Sequence, residues 1–430
     1  MELTIAPGDG LVDEVPDLVV QGLGAHEEVT VRIDVTDAAG RAWRSVNRYR
    51  ADAGGVAGTA RNAPIAGSYT GVDPTGPWWS MTCVRRDLPP VAFSAPDDQL
   101  IWTVRCAADA ARQVRRTVVR RWRARRITRT ETVDEGLRVV EFAPRAIDTG
   151  PPPVVVLIPG STGVEAVAPT AALLASRCGF TTLVLGYLGG EWQPATLRDI
   201  PLERLVRAVG AVATGRRVGV VAYSVGTGGA LAALALARIP VRAVVAVAPT
   251  HVVWQAPGPG CPPPKTSAWT YKGAPMPYVP VRSRLLLPQI AGRAVLRRLP
   301  GGRARSTALR MRPAYAAGLR DTAAVENALI PVEDITAPLM AVAGTEDAVW
   351  PAAAMARALI ERRRTVPAED VLLIHPGAGH FLRPPLVPTT VDRTADLVSG
   401  GTPQANALAQ SETWAAMTRF LERHLQAASP

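Results

Sequence analysis

Ser224 stands in the pentapeptide Ala222-Tyr-Ser-Val-Gly226, between an apolar run that begins at Val218 and a stretch of small residues that opens at Thr227. A strand that turns sharply into a helix at a serine needs small residues two positions before and two after it, and Ala222 and Gly226 meet that need. The turn would present the hydroxyl at the positive end of the helix, where a developing anion is favoured. Such pentapeptides also arise by chance in alanine-rich chains, so the weight falls on what lies downstream. The apolar run at 339–343 leads into Gly344-Thr-Glu-Asp347, an acid placed where a carboxylate can orient a histidine. Its plain structural role would be a helix N-cap before Trp350-Pro351, and Glu346 and Asp334 are the other acids in reach. The run at 371–374 leads into His375-Pro-Gly-Ala-Gly-His380-Phe. His380, in a glycine-flanked loop, is the expected base, and His375, abutting the strand, reads as a packed residue. Serine, acid and histidine in that order follow the α/β-hydrolase pattern.

Acyl transfer through a serine also needs two convergent backbone N–H donors for the oxyanion. One is expected at Val225, directly after the nucleophile. The other belongs in the glycine-rich loop at 159–163, with Ser161 as the candidate donor. In this scheme His380 takes the Ser224 proton, Asp347 stabilises the imidazolium, and an acyl-enzyme forms and is released. Metal-ligand spacing, a phosphate-binding loop and a dinucleotide fingerprint are all missing from the sequence, so no cofactor and no metal are expected.

Those residues need a parallel sheet to carry them. Apolar runs at 154–158, 181–185, 218–222, 243–248, 339–343 and 371–374 alternate with alanine- and leucine-rich helical stretches, as in an α/β fold with both sheet faces covered. Before about residue 110 the pattern is instead short, alternating and broken by turn residues, which reads as an all-β sandwich. The expected division is a β-sandwich over 1–125 and an α/β-hydrolase domain over 126–430. Residues 114–129 carry eight arginines and read as an extended connector or edge strand. The proline- and glycine-rich stretch at 255–320 has the size of a cap over a site.

A chain of 430 residues exceeds what one core organises, and 47% hydrophobic with 20% charged residues is a globular composition. The formal charge is +11, and lysine occurs only at Lys265 and Lys272, so nearly all the basic residues are arginine. Coding bias accounts for most of that excess. The arginines are spread along the chain without zinc spacing or interleaved aromatics, so nucleic acid is not an expected partner. Cys83, Cys106, Cys178 and Cys261 show no paired spacing and read as reduced, packed thiols. The one charge-free run long enough for a bilayer, 218–237, holds Ser224, Thr227 and three glycines in its middle and reads as a strand followed by a helix. With neither a secretory pattern nor a peroxisomal address, a cytoplasmic protein without a membrane span is expected.

The chain resembles the family of acyl-CoA thioesterases and bile acid-CoA:amino acid N-acyltransferases over nearly its whole length. The resemblance rests on Trp43-Arg-Ser, Tyr49-Arg-Ala-Asp52, Ala66-Gly-Ser-Tyr-Thr-Gly and Trp78-Trp-Ser-Met81 in the first part. In the second it rests on Gly186-Tyr187, Ile200-Pro-Leu-Glu203, Ile330-Pro-Val-Glu333, Asp347-Ala-Val-Trp350 and Pro376-Gly-Ala-Gly-His-Phe-Leu-Arg-Pro-Pro385. It implies an immunoglobulin-like sandwich packed on an α/β-hydrolase domain, acyl-CoA or carrier-protein thioesters as substrates, and a triad matching Ser224, Asp347 and His380. Amino-acid-conjugating members use cysteine as nucleophile, so serine implies hydrolysis. Transfer to an amine or hydroxyl, or cyclising product release, is the alternative within that chemistry. A non-catalytic scaffold that kept the fold is the alternative outside it. Val-Gly-Thr-Gly-Gly after the nucleophile replaces the family's more usual Lys-Gly-Gly, and the arginine-rich composition resembles bacterial members. Arginines that meet CoA phosphates or an acidic carrier are expected at the mouth of the site, around Arg120 to Arg126 or Arg282 to Arg312.

Overall fold

The computed structural model describes residues 1–84, 91–145, 151–190, 193–257, 263–298 and 308–426; Cys261 and part of the proline-rich stretch lie outside them. Eight strands form the central sheet. In spatial order they are Ile127–Asp134, Leu137–Pro144, Thr181–Gly186, Val154–Ile158, Val218–Tyr223, Ala243–Val247, Leu339–Gly344 and Val371–His375. Leu137–Pro144 runs against both of its neighbours, and the pairings from Thr181–Gly186 onward are parallel. This is an α/β-hydrolase sheet. Val154–Ile158, Ala243–Val247 and Leu339–Gly344 are buried at every position because helices cover both faces, which is why they read as unbroken apolar runs.

The first two strands were not among the runs singled out from the sequence. Ile127–Asp134 is a polar edge strand, exposed at all but its first residue, and it shows neither an apolar run nor a buried face. The eight-arginine tract divides here: Gln113–Arg121 lies inside a different sheet, and the chain enters the central sheet at Ile127.

Ahead of it stand two smaller sheets. One has three strands, Glu2–Ala6, Asp17–Gln21 and Ala57–Gly58; the other has six, ordered Asp9–Leu11, Gln113–Arg121, Gln99–Ala107, Glu28–Thr36, Ala42–Arg50 and Thr82–Cys83. Along Glu28–Thr36 burial alternates residue by residue, with Val29, Val31, Ile33 and Val35 inward. Register sets Val29 opposite Tyr49, Val35 opposite Trp43 and Ile33 opposite Val104, and these side chains join one core with Leu3, Leu18 and Val20 of the smaller sheet. Cys83, Cys106 and Cys178 are free, and burial pushes the Cys106 thiol up to about 12, consistent with an inert thiol.

The two parts are fastened by charge as well as by apolar contact. Asp13 accepts two hydrogen bonds from Arg177 at 2.7 Å each and one from Trp414 Nε1 at 3.0 Å. Arg126 reaches the Ser176 carbonyl at 2.8 Å. Arg120 is buried, donating to the carbonyls of Pro7, Gly8 and Glu14. Arg120 and Arg126 are thus committed to backbone carbonyls, and none of Arg120 to Arg126 lines the cavity beside Ser224. Among the described residues no helix is long and apolar enough to cross a membrane, and no group of side chains could hold a metal ion.

His251, just past the Ala243–Val247 strand, is buried with its Nδ1 unpartnered. Burial, with help from Arg362, depresses its pKa to about 4. The folded state therefore binds fewer protons there than the unfolded chain, and stability falls as pH drops from about 6.5 toward 4. The expected loss is about 3 kcal/mol across that window. Denaturant melts of wild type and His251→Asn at pH 7 and pH 4.5 check it: the variant should have a flatter acid limb, and parallel limbs would contradict the assignment.

Candidate active site

The Val218–Tyr223 strand ends in Ser224, which is held at φ 52° and ψ −129° before the helix Val225–Ala237 begins. Positive φ in a residue with a side chain costs of order 1–3 kcal/mol, so the surroundings must impose it. Ser224 N–H donates to the Val247 carbonyl at 2.9 Å, and the Ser224 carbonyl accepts from Thr227 N at 2.9 Å and Thr227 Oγ1 at 2.7 Å. Thr227 Oγ1 is in turn fixed by Thr250 N at 3.1 Å. Gly226 is required because a Cβ there would sit 2.2 Å from the Pro159 carbonyl oxygen. Gly226→Ala should therefore cost about 1–3 kcal/mol and push the turn away from the loop at 159–163. Thermal melts and turnover on one sample of the variant test this: both should fall, and unchanged turnover would show that the turn need not keep its shape.

Asp347 and His380 leave the ends of the next strands but one and but two. Asp347 is fully buried, and its Oδ1 accepts the N–H groups of Val349 at 2.8 Å and Trp350 at 3.1 Å. Its Oδ2 faces His380 Nδ1 at 2.6 Å, and His380 Nε2 faces Ser224 Oγ at 2.8 Å. The three side chains named from the sequence thus lie in one hydrogen-bonded line. Glu346 is exposed, and Asp334 lies beside Arg238 rather than near Ser224. His375 is packed as expected: Nε2 meets Thr413 Oγ1 at 2.9 Å, Nδ1 meets Glu412 at 3.1 Å, and burial holds its pKa down against the pull of Glu412.

Two residues that hold this line, Ser399 and Asn406, were not singled out from the sequence. Ser399 accepts the His380 N–H with both its carbonyl and its Oγ at 3.0 Å, and Oγ also accepts Phe381 N–H at 2.9 Å. Asn406 Oδ1 accepts Gly379 N–H at 2.7 Å. A Cβ on Gly379 would lie 2.0 Å from the Gly400 carbonyl, so the histidine loop can approach the 399–401 segment only as glycine. Arg312 donates to the carbonyls of Thr345 at 2.8 Å and Asp347 at 3.0 Å. Trp350 abuts the His380 ring at 5.6 Å and is backed by Tyr315 and Trp254.

Ser224 and His380 open into a cavity of about 350 Å³ with a largely apolar wall that includes Val167, Tyr223, Val247, Ala248 and Val349. Gly160, Ser161 and Thr162 line it on the side of the loop expected to supply the second oxyanion donor, and Val225 opens the helix that follows Ser224. The described residues of 255–320 do not line this cavity; its rim comes from 381–383 and 394–397. Described residues of that stretch pack behind the site, with Trp269 against Gly229 of the helix that follows Ser224 and Tyr315 against Trp350. Of the insertion arginines, Arg282 pairs with Asp321, Arg293 with Asp396 on the cavity rim, and Arg312 with backbone. A larger hollow of about 660 Å³ lies at the amino ends of the strands, around 151–153, 215–217 and 240–242. Ligands of open α/β sheets bind at the carboxyl ends, so the serine-facing cavity is the functional candidate.

Two family models match the chain: "Acyl-CoA thioester hydrolase/BAAT N-terminal region" over residues 13–135 and "BAAT / Acyl-CoA thioester hydrolase C terminal" over residues 306–427. The chain is 24% identical to acyl-coenzyme A thioesterase 6 of Mus musculus, with 100% of this chain and 98% of that protein aligned. It is 26% identical to mitochondrial acyl-coenzyme A thioesterase 2 of Rattus norvegicus (99% of this chain, 90% of that protein). It is 25% identical to the bile acid-CoA:amino acid N-acyltransferase of Mus musculus (99% and 98%). Among solved structures it is similar to a Pyrobaculum calidifontis esterase at 15% identity and TM-score 0.42, over 70% of this chain and 86% of that one. With two separate regions matched by models of one family, and relatives of that family aligned along the whole sequence, the chain belongs to the acyl-CoA thioester hydrolase and bile acid-CoA:amino acid N-acyltransferase family and is an enzyme of that type.

Proposed function

We propose that the protein is a serine-dependent acyl thioesterase that hydrolyses an acyl-CoA, or the same acyl group on a carrier protein, through an acyl-Ser224 intermediate. The observation that carries this reading is the line Asp347–His380–Ser224, with contacts of 2.6 and 2.8 Å, at the opening of an apolar cavity. His380 Nε2 accepts the Ser224 proton as Oγ attacks the thioester carbonyl carbon. The N–H groups of Val225 and Ser161 stabilise the tetrahedral oxyanion. Collapse breaks the C–S bond, and the thiol leaves with the proton from His380. Water then attacks the acyl-serine with His380 again as base, which releases the carboxylic acid and restores Ser224. The chain needs no cofactor or metal for these steps.

Residues 126–430 form the catalytic domain in this reading, and residues 1–125 an immunoglobulin-like sandwich packed against it. The change of sheet between Arg121 and Ile127 supports that boundary. The free thiols of Cys83, Cys106 and Cys178 suit a cytoplasmic setting. Transfer of the acyl group to an amine or hydroxyl is the second reading, supported by the aligned N-acyltransferase relative. A panel of acyl-CoAs, with and without glycine, taurine and other acceptors and read by product mass, separates the two. Free acid with every acceptor supports hydrolysis, an acceptor-dependent amide or ester supports transfer, and no turnover by folded protein contradicts both.

A further inference from the structure

Between the N-terminal sheets and the catalytic sheet runs a groove of about 480 Å³, lined by residues of both, including Arg41, Phe93, Trp122 and Val387. It shares Thr162, Ala166, Arg383 and Thr394 with the cavity at Ser224, so the two spaces join. Arg383 stands at the junction, three residues beyond His380. Two other charged side chains of the groove are neutralised within the protein: Arg41 by Asp37 at 2.6 Å, and Glu165 by Arg138. Arg383 is different. Its Nη1 donates to the Phe93 carbonyl at 2.8 Å and its guanidinium lies 4.8 Å over the Phe381 ring. Among the described residues no carboxylate forms an ion pair with it, and burial alone lowers its pKa, to about 10. A guanidinium has five N–H donors, of which one bond to the Phe93 carbonyl uses a single group, and Arg383 lines both joined spaces. Placing a charge in such surroundings without a counter-ion is unfavourable unless an anion joins it in use.

We propose that Arg383 is the receptor for an anionic group of the thioester substrate, a phosphate or carboxylate bound by its planar fork where the interdomain groove meets the acyl cavity. The proposal rests on the thioesterase reading. A phosphate would come from the CoA or carrier arm lying in the groove, and a carboxylate from the far end of a dicarboxylic acyl chain. Both match guanidinium geometry, which an ammonium cannot reproduce.

The test uses the full-length chain as wild type, Arg383→Gln and Arg383→Lys. Glutamine keeps an N–H donor for the Phe93 carbonyl but removes the charge, so it separates charge from packing. Three substrates are compared: decanoyl-CoA, decanoyl-N-acetylcysteamine, which has no phosphate, and adipoyl-N-acetylcysteamine, whose only charge is the acyl carboxylate. If the anion is a CoA phosphate, Arg383→Gln raises KM for decanoyl-CoA roughly ten- to a hundredfold relative to decanoyl-N-acetylcysteamine, with little change in kcat. If it is the acyl carboxylate, the same selective rise appears for adipoyl-N-acetylcysteamine. Arg383→Lys recovers part of either effect. Equal losses on charged and neutral thioesters, or none on any, overturn the proposal. Failure of wild type to hydrolyse any of the three instead overturns the thioesterase reading. Calorimetric titration of wild type and Arg383→Gln with CoA and with adipate then decides the receptor question: weaker binding by the variant supports it, and identical isotherms overturn it.

Discussion

Ser224→Ala should abolish thioester turnover, lowering kcat by at least about 10⁴-fold and as far as about 10⁶-fold, the range seen when a nucleophile is removed from a serine triad. Loss of the hydroxyl removes the covalent intermediate, and water must then attack the thioester directly with only the oxyanion donors to help. The backbone should hold. Alanine has the same Cβ as serine, and the contacts that impose φ 52° are made by the Ser224 N–H and carbonyl and by Thr227, none of which the substitution touches. A partly exposed hydroxyl contributes little to stability, so the melting temperature should stay close to wild type, within about 0.5 kcal/mol in unfolding free energy. Single-turnover kinetics on a medium-chain acyl-CoA, paired with a thermal melt, measures both halves. Loss of turnover with loss of folding would leave the nucleophile assignment without support from this variant, and retained turnover in a folded variant would contradict it.

Asp347→Asn should cost about 10⁴-fold in kcat while leaving the fold intact, because it reverses the polarity of one hydrogen bond. Oδ1 of Asp347 is committed to the N–H groups of Val349 and Trp350. In the asparagine variant those two donors hold the amide oxygen in the same place, so the NH₂ group takes the Oδ2 position, 2.6 Å from His380 Nδ1. Two donors then face one another, and His380 relieves the clash by carrying its proton on Nε2. That is the nitrogen that must accept from Ser224. The defect lies in the tautomer rather than in geometry, so kcat should fall with KM nearly unchanged. Steady-state kinetics across pH reads it out. A matching rise in KM, or a variant within tenfold of wild type, would mean that Asp347 serves mainly as the cap of the turn at 349–350.

The parts legible in the sequence are those set by local pattern. Strands buried on both faces read as apolar runs, and each chemical residue sits at or just past the end of one, so Ser224, Asp347 and His380 could be named with their elements. His375 was separable from His380 for the same reason: a residue at a strand terminus is packed, here against Thr413 and Glu412. The first strand of the opening hairpin carried no such signal, because Ile127–Asp134 is an exposed edge strand in which threonine and charged residues hold six of the eight positions. Ser399 and Asn406 were equally silent. Each acts on the backbone of a loop remote in sequence, through hydrogen bonds that leave no periodicity. The arginines show the limit most clearly. Arg120 is spent on carbonyls of the N-terminal segment and Arg177 on Asp13, whereas Arg383, inside a string first noticed for its histidine, is the one at the junction of groove and cavity. Which guanidinium meets a carboxylate, a carbonyl or an open space depends on tertiary placement, and a single sequence does not display it.

The central claim is that the acyl group is carried on Ser224 Oγ, and it is tested most directly by a serine-directed fluorophosphonate followed by intact-mass and peptide analysis. Wild type should gain one label, on the peptide that contains Tyr223-Ser-Val-Gly226. Preincubation with acyl-CoA should slow the labelling, and Ser224→Ala should remain unlabelled. His380→Ala, which keeps the hydroxyl but loses its base, should label far more slowly. Folded wild type that takes no label, or that takes it at another serine while hydrolysing thioesters, would contradict the claim.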